Sequence, residues 1–161
     1  MASSTAFADG IVPVICSMKE FNYCKDIKKI IEYTPEGYYN NKPAKIYAHG
    51  QYNTIIECTP DYEPVKIYAH GHYNTIIELN PEYEIIKRYA HGHYNTIIEL
   101  NPEYEIVKRY AHGHYSTIIE LNPKYEIVKR YAHGQYNTIV ECTPEGYYKH
   151  EPVKIYALIK Y

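Results

Sequence analysis

Along most of this chain apolar and polar residues alternate over short stretches that end at proline or glycine. In the segment YNTIIEL, Tyr73, Thr75, Ile77 and Leu79 share one side of an extended backbone. His72, Asn74, Ile76 and Glu78 share the other. The segment from Tyr83 to Tyr89, YEIIKRY, is equally rich in β-branched and aromatic residues, and its Ile85 and Ile86 point opposite ways. Both segments are predicted strands. Between them Asn80-Pro81-Glu82-Tyr83 predicts a turn, because asparagine bonds the backbone ahead of it and proline presets the first central position. At the other end of the unit Ala90-His91-Gly92-His93 predicts a second turn, with the glycine supplying a positive φ.

The pattern repeats. Ala-His-Gly begins at Ala48, Ala69, Ala90, Ala111 and Ala132, a period of 21 residues, so the chain is an array of one supersecondary unit. Pro81, Pro102 and Pro123 interrupt every unit and no apolar stripe at helical spacing crosses them, which excludes a helical solenoid. A parallel β-solenoid would stack Glu78, Glu99 and Glu120 about 4.8 Å apart, and Lys87, Lys108 and Lys129 likewise. An antiparallel up-and-down meander puts a strand of opposite charge between successive members of each row. The expectation is therefore an all-β chain of tandem 21-residue hairpins with about twelve strands, as an open single sheet or a curled, barrel-like one.

The array divides into a non-repeating lead, residues 1–25, and six hairpins over residues 26–161. The first and last hairpins, 26–47 and 136–161, share a four-residue insertion, TPEGYYNNKPAKIY against TPEGYYKHEPVKIY, and are expected to cap the array. Pro43, Pro64 and Pro152 replace the isoleucine seen at Ile85, Ile106 and Ile127, which places them at an edge or a bulge. Exposed edges of a long open sheet favour self-association.

Composition narrows the function. Tyrosine accounts for 22 residues against two phenylalanines and no tryptophan, which suits half-wet faces and binding surfaces. A net charge of −2 removes the electrostatic case for nucleic acid, and no apolar run is long enough for a membrane-spanning helix. Cys58 and Cys142 occupy the slot of Leu79, Leu100 and Leu121 and are expected to be buried free thiols, too far apart in a flat sheet to bridge. Cys16 and Cys24 can pair with each other, though nothing requires it. The start MASSTAFADG lacks a clear signal peptide; compartment is undetermined, with the repeat type leaning toward the extracellular side.

No catalytic residue, metal-dependent motif or cofactor motif emerges, and near-identical copies are a poor way to build one asymmetric active site. Two repeated features carry binding chemistry. His70 and His72, His91 and His93, and His112 and His114 place paired imidazoles in three successive turns, a pattern suited to a transition metal or to joint titration. Tyr73 and Asn74, Tyr94 and Asn95, Tyr115, and Tyr136 and Asn137 offer stacking faces and hydrogen bonds to a sugar polymer. Lys87-Arg88, Lys108-Arg109 and Lys129-Arg130 are dibasic pairs laid out as in precursors cut into repeated peptides. Tyr89, Gly92 and the strand that follows resemble, in outline, the tyrosine-and-glycine hairpin repeats of large bacterial toxins, although Ala90 stands where those repeats carry an acidic residue. The leading expectation is a non-enzymatic, self-assembling structural protein forming homo-oligomers or filaments; the alternative is a multivalent module for polysaccharide.

Overall fold

The computed structural model describes residues 27–52, 54–72, 75–93, 96–114, 117–144 and 151–160. Twelve strands follow one another: β1 (Ile27–Tyr33), β2 (Lys45–His49), β3 (Ile55–Cys58), β4 (Pro64–His70), β5 (Ile76–Leu79), β6 (Ile85–His91), β7 (Ile97–Leu100), β8 (Ile106–His112), β9 (Ile118–Leu121), β10 (Ile127–His133), β11 (Thr138–Cys142) and β12 (Pro152–Lys160). One short helix, α1 (Pro35–Tyr39), occupies the insertion of the first hairpin. Each strand pairs antiparallel with its neighbours in sequence, and β12 pairs with β1 from Tyr33↔Ile155 to Ile27↔Lys160. The meander is thus a closed barrel. Closure satisfies every strand on both sides, so the edges expected of an open sheet do not exist. The two insertion-bearing hairpins, expected as caps, are instead each other's neighbours across the seam.

Register is regular. Crossing the strands from Tyr89, the pairing meets Glu99 and then Lys108, two residues short of Tyr110, the equivalent of Tyr89. Each of six hairpins climbs two residues, giving a shear equal to the strand number and tilted strands. A bulge recurs beside five of the six buried glutamates, as between Glu78 and Leu79, and it accommodates Pro64 and Pro152; the first hairpin has none after Glu32, and Pro43 lies in the loop before β2 instead.

The strands are shorter and differently placed than the pattern predicts. In the third hairpin the first begins at Ile76 rather than Tyr73, because the Thr75 N–H bonds the His72 carbonyl and keeps the chain in its turn. The second begins at Ile85 rather than Tyr83, because Tyr83 has a φ of 66° and closes the Asn80 turn. In that turn Asn80 Oδ1 accepts from the Glu82 and Glu84 N–H groups at 3.0 and 2.9 Å, the asparagine role expected from the sequence. The glycine role differs. Gly71 is required by close approach: a β-carbon there would lie 2.5 Å from Thr75 Oγ1, a hydroxyl held by the His72 carbonyl. In the equivalent last turn positive φ falls on Tyr136 and Asn137 instead.

Alternation turns one face of every strand into the lumen. Ile30, Ile55, Ile76, Ile118, Ile139 and Leu158 pack there with Tyr47, Tyr68, Tyr89, Tyr110, Tyr131 and Tyr156 as the hydrophobic core. Twelve strands enclose more width than eight, where side chains just fill the interior, so large tyrosines and long lysines are needed to close this one. Cys58 and Cys142 are free and buried, as expected. Closure brings β3 and β11 within four strand spacings along the wall, about 19 Å, still far beyond a disulfide.

Candidate functional site

Above the isoleucine layer the lumen holds a ring of six carboxylates, Glu32, Glu57, Glu78, Glu99, Glu120 and Glu141, all buried. Each comes from the first strand of a hairpin and is held from both sides. Tyr89 on β6 donates its hydroxyl to Glu78 Oε1 at 3.0 Å, while Lys66 on β4 lies 3.4 Å from Oε2. The directly opposed residues are Tyr68 and Lys87, so both bonds run diagonally, as tilted strands direct them. The same pair of contacts recurs around the barrel, with tyrosine bonds of 2.9–3.1 Å. The lysine distances are 3.3–3.4 Å for five pairs, and Lys154 to Glu32 at 3.6 Å closes the ring across the seam.

Two kinds of bond operate here. The tyrosine hydroxyls make short, aligned hydrogen bonds inside the core. The lysine contacts are longer than a charge-assisted hydrogen bond, and Oε2 of Glu57, Glu78, Glu99 and Glu141 has no aligned donor. These are Coulombic pairs between a buried carboxylate and an ammonium that stays about a third exposed at the lumen mouth. Burial, followed by the charges of Glu120 and Glu141, pushes the Tyr131 hydroxyl well above the ordinary tyrosine range; Tyr156 is raised likewise by burial and then by Glu141 and Glu32. The ring encloses a polar cavity of about 150 Å³, room for a handful of waters. All eighteen side chains are committed to one another, which makes the ring a structural element before anything else.

Outside the wall the turn tyrosines form a second repeated feature. Tyr62, Tyr83, Tyr104 and Tyr125 all have φ between 65° and 69°, in the left-handed region, and all are exposed. Tyr104 lies under the Arg88 guanidinium at 4.5 Å and Tyr125 under Arg109 at 4.7 Å, whereas Lys29 reaches Tyr62 with a 3.2 Å hydrogen bond to its hydroxyl. The Nε atoms of Arg88 and Arg109 are buried without a hydrogen-bond partner beside these rings. Burial, then the nearby Glu57 and Glu141 charges, raises the Cys58 and Cys142 thiols, which makes both poor nucleophiles.

The residues singled out from the sequence lie at the opposite end of the barrel. His70, His91 and His112 end β4, β6 and β8, and His72, His93 and His114 sit in the following turns; all six are exposed. Among the described residues no group of three or more histidine, cysteine, aspartate or glutamate side chains is arranged to hold a metal ion. Tyr136 is exposed, and Asn137 uses its carbonyl to accept the Leu158 N–H. Tyr73, Asn74, Tyr94, Asn95 and Tyr115 lie outside the described residues. The ring itself was missed. Its signal was present, since Glu78, Lys87 and Tyr89 each recur once per unit, but those rows read only as charges to be kept apart. No protein-family model and no curated protein matches this chain.

Proposed function

We propose that this protein is a non-enzymatic structural block that associates with copies of itself into oligomers or filaments. The observation that carries the reading is the closed Glu-Tyr-Lys ring, in which the lumen's polar groups bind one another with the same geometry in every hairpin. Six equivalent settings supply rigidity, and a reaction that needs an acid and a base in different surroundings has none to use. A rigid barrel with repeated surface chemistry is suited to building larger assemblies. Size-exclusion chromatography with light scattering, followed by electron microscopy, tests it. Species larger than a monomer, growing with concentration, are expected; a monomer at every concentration overturns it.

A second reading has its own support. A bulky residue in the left-handed region costs about 1–2 kcal/mol relative to the ordinary conformation, yet four successive turns place a tyrosine there and leave it exposed. Four exposed aromatic rings on one rim, two of them backed by an arginine, suit a polysaccharide, whose repeated sugar rings would bind with avidity. A monomer retained on glycan arrays, and released when Tyr83 and Tyr104 are changed to serine, would favour this reading over assembly.

A further inference from the structure

The barrel has two chemically different ends. Every described acidic residue outside the lumen belongs to α1 or to the turns at the lysine mouth: Asp61 and Glu63, Glu82 and Glu84, Glu103 and Glu105, then Glu126 beside Lys124, with Glu36 and Glu151 in the terminal hairpins. All are exposed. The other end carries a histidine closing each of β2, β4, β6, β8 and β10, from His49 to His133, and a second in the three central turns. Among the described residues, the titratable or charged groups at this end are these imidazoles, Tyr52, Tyr136 and, from β1 and β12, Lys28 and Lys160, while Lys29 on β1 reaches toward Tyr62 instead. No described aspartate or glutamate belongs to that end.

Because closure leaves no strand edge, self-association through the described residues uses the outer wall or these ends. Resting on the self-assembly reading, we infer that copies stack head to tail, the carboxylate crown of one barrel against the histidine crown of the next. Both crowns repeat with the hairpin, so a stacked copy meets donors at the spacing of its acceptors. Imidazoles donate one N–H when neutral and two when charged, and carboxylates accept in either case. Mouth-to-mouth pairing would instead oppose like charges. The head-to-tail contact joins two different surfaces and leaves a free one of each kind, so it extends into a filament rather than closing as a dimer. Salt weakens it.

The test uses the full chain in low salt with a chelator present, which removes histidine-metal bridges, and compares it with a variant carrying Glu82→Gln, Glu84→Gln, Glu103→Gln and Glu105→Gln. These side chains are exposed, and glutamine still accepts from Asn80 and Asn101, so the barrel is expected to fold. The variant should need at least tenfold higher concentration to assemble by light scattering. Keeping one competent end, it should also cap wild-type filaments when added in small amounts, shortening them in electron micrographs. Assembly of the variant at the wild-type concentration overturns head-to-tail stacking while leaving self-assembly standing. A wild-type chain that stays monomeric at pH 6 and pH 7.5 overturns both.

Discussion

The seam between β1 and β12 and the junctions between central hairpins do the same job with different means. At a central junction the chain itself delivers the next strand, and burial of the lumen isoleucines varies there: Ile118 is 1% exposed, Ile76 is 8% exposed and Ile97 is only partly buried. At the seam no turn holds the strands together, and no lumen position is loose: Ile27 and Ile30 are fully buried and Leu158, paired with Ile30, is 3% exposed. The polar ring makes no such distinction. Tyr89 follows Glu78 by 11 residues and Tyr156 follows Glu141 by 15, yet both bonds are 3.0 Å. In the first hairpin, where the same four-residue insertion is described, it is folded around α1, capped by Thr34 at 3.0 Å from the Gly37 N–H. Closure therefore relies on apolar burial where connectivity is missing, and on an unchanged ring everywhere.

The largest effect should come from the seam's apolar side. Leu158→Ala or Ile30→Ala is expected to lower stability by about 2–5 kcal/mol in guanidinium unfolding. Ile97→Ala, at a half-buried central position, should cost distinctly less. Equal losses at the two places would remove the distinction between seam and centre.

The ring should instead respond alike in both regions. Tyr131→Phe and Tyr156→Phe each leave a buried carboxylate oxygen without its hydroxyl donor, an expected loss of about 1–3 kcal/mol. A loss at only one of the two would show that the ring is not energetically uniform.

Titration probes both tyrosines together. Their hydroxyls are raised in the fold, so above the ordinary tyrosine range near pH 10 the unfolded chain releases protons that the barrel retains. Stability is complete below that range and declines as pH rises through it. Unfolding midpoints measured from pH 8 to pH 11 should fall only at the alkaline end, and less steeply in Tyr131→Phe.

The smallest effect separates two turns of the central array. Ile67 stands sixteen residues before Tyr83, where Arg88 stands before Tyr104. Tyr83→Gly relieves the left-handed strain and is expected to raise stability by up to about 1 kcal/mol. Tyr104→Gly also loses the Arg88 contact, and its net change should lie within about 0.5 kcal/mol of zero. Thermal midpoints of the two variants supply the comparison, and a larger gain for Tyr104→Gly would deny the arginine contact any value.

Local order determined much of this protein. The period, the six hairpins, the antiparallel sense, the asparagine turns and the buried thiols at Cys58 and Cys142 all follow from short-range rules of alternation, turn chemistry and like-charge avoidance, which act within one or two strands. Tertiary structure decided what those rules do not reach. Whether twelve strands stay open or close depends on accumulated twist and on Ile30 meeting Leu158, residues 128 apart in the chain. The partners of Glu78 were equally out of reach, because strand tilt sends its bonds to Lys66 and Tyr89 rather than to the residues directly opposite. Position along a strand tells which face a side chain occupies; only the closed, sheared barrel tells which side chains on that face can touch.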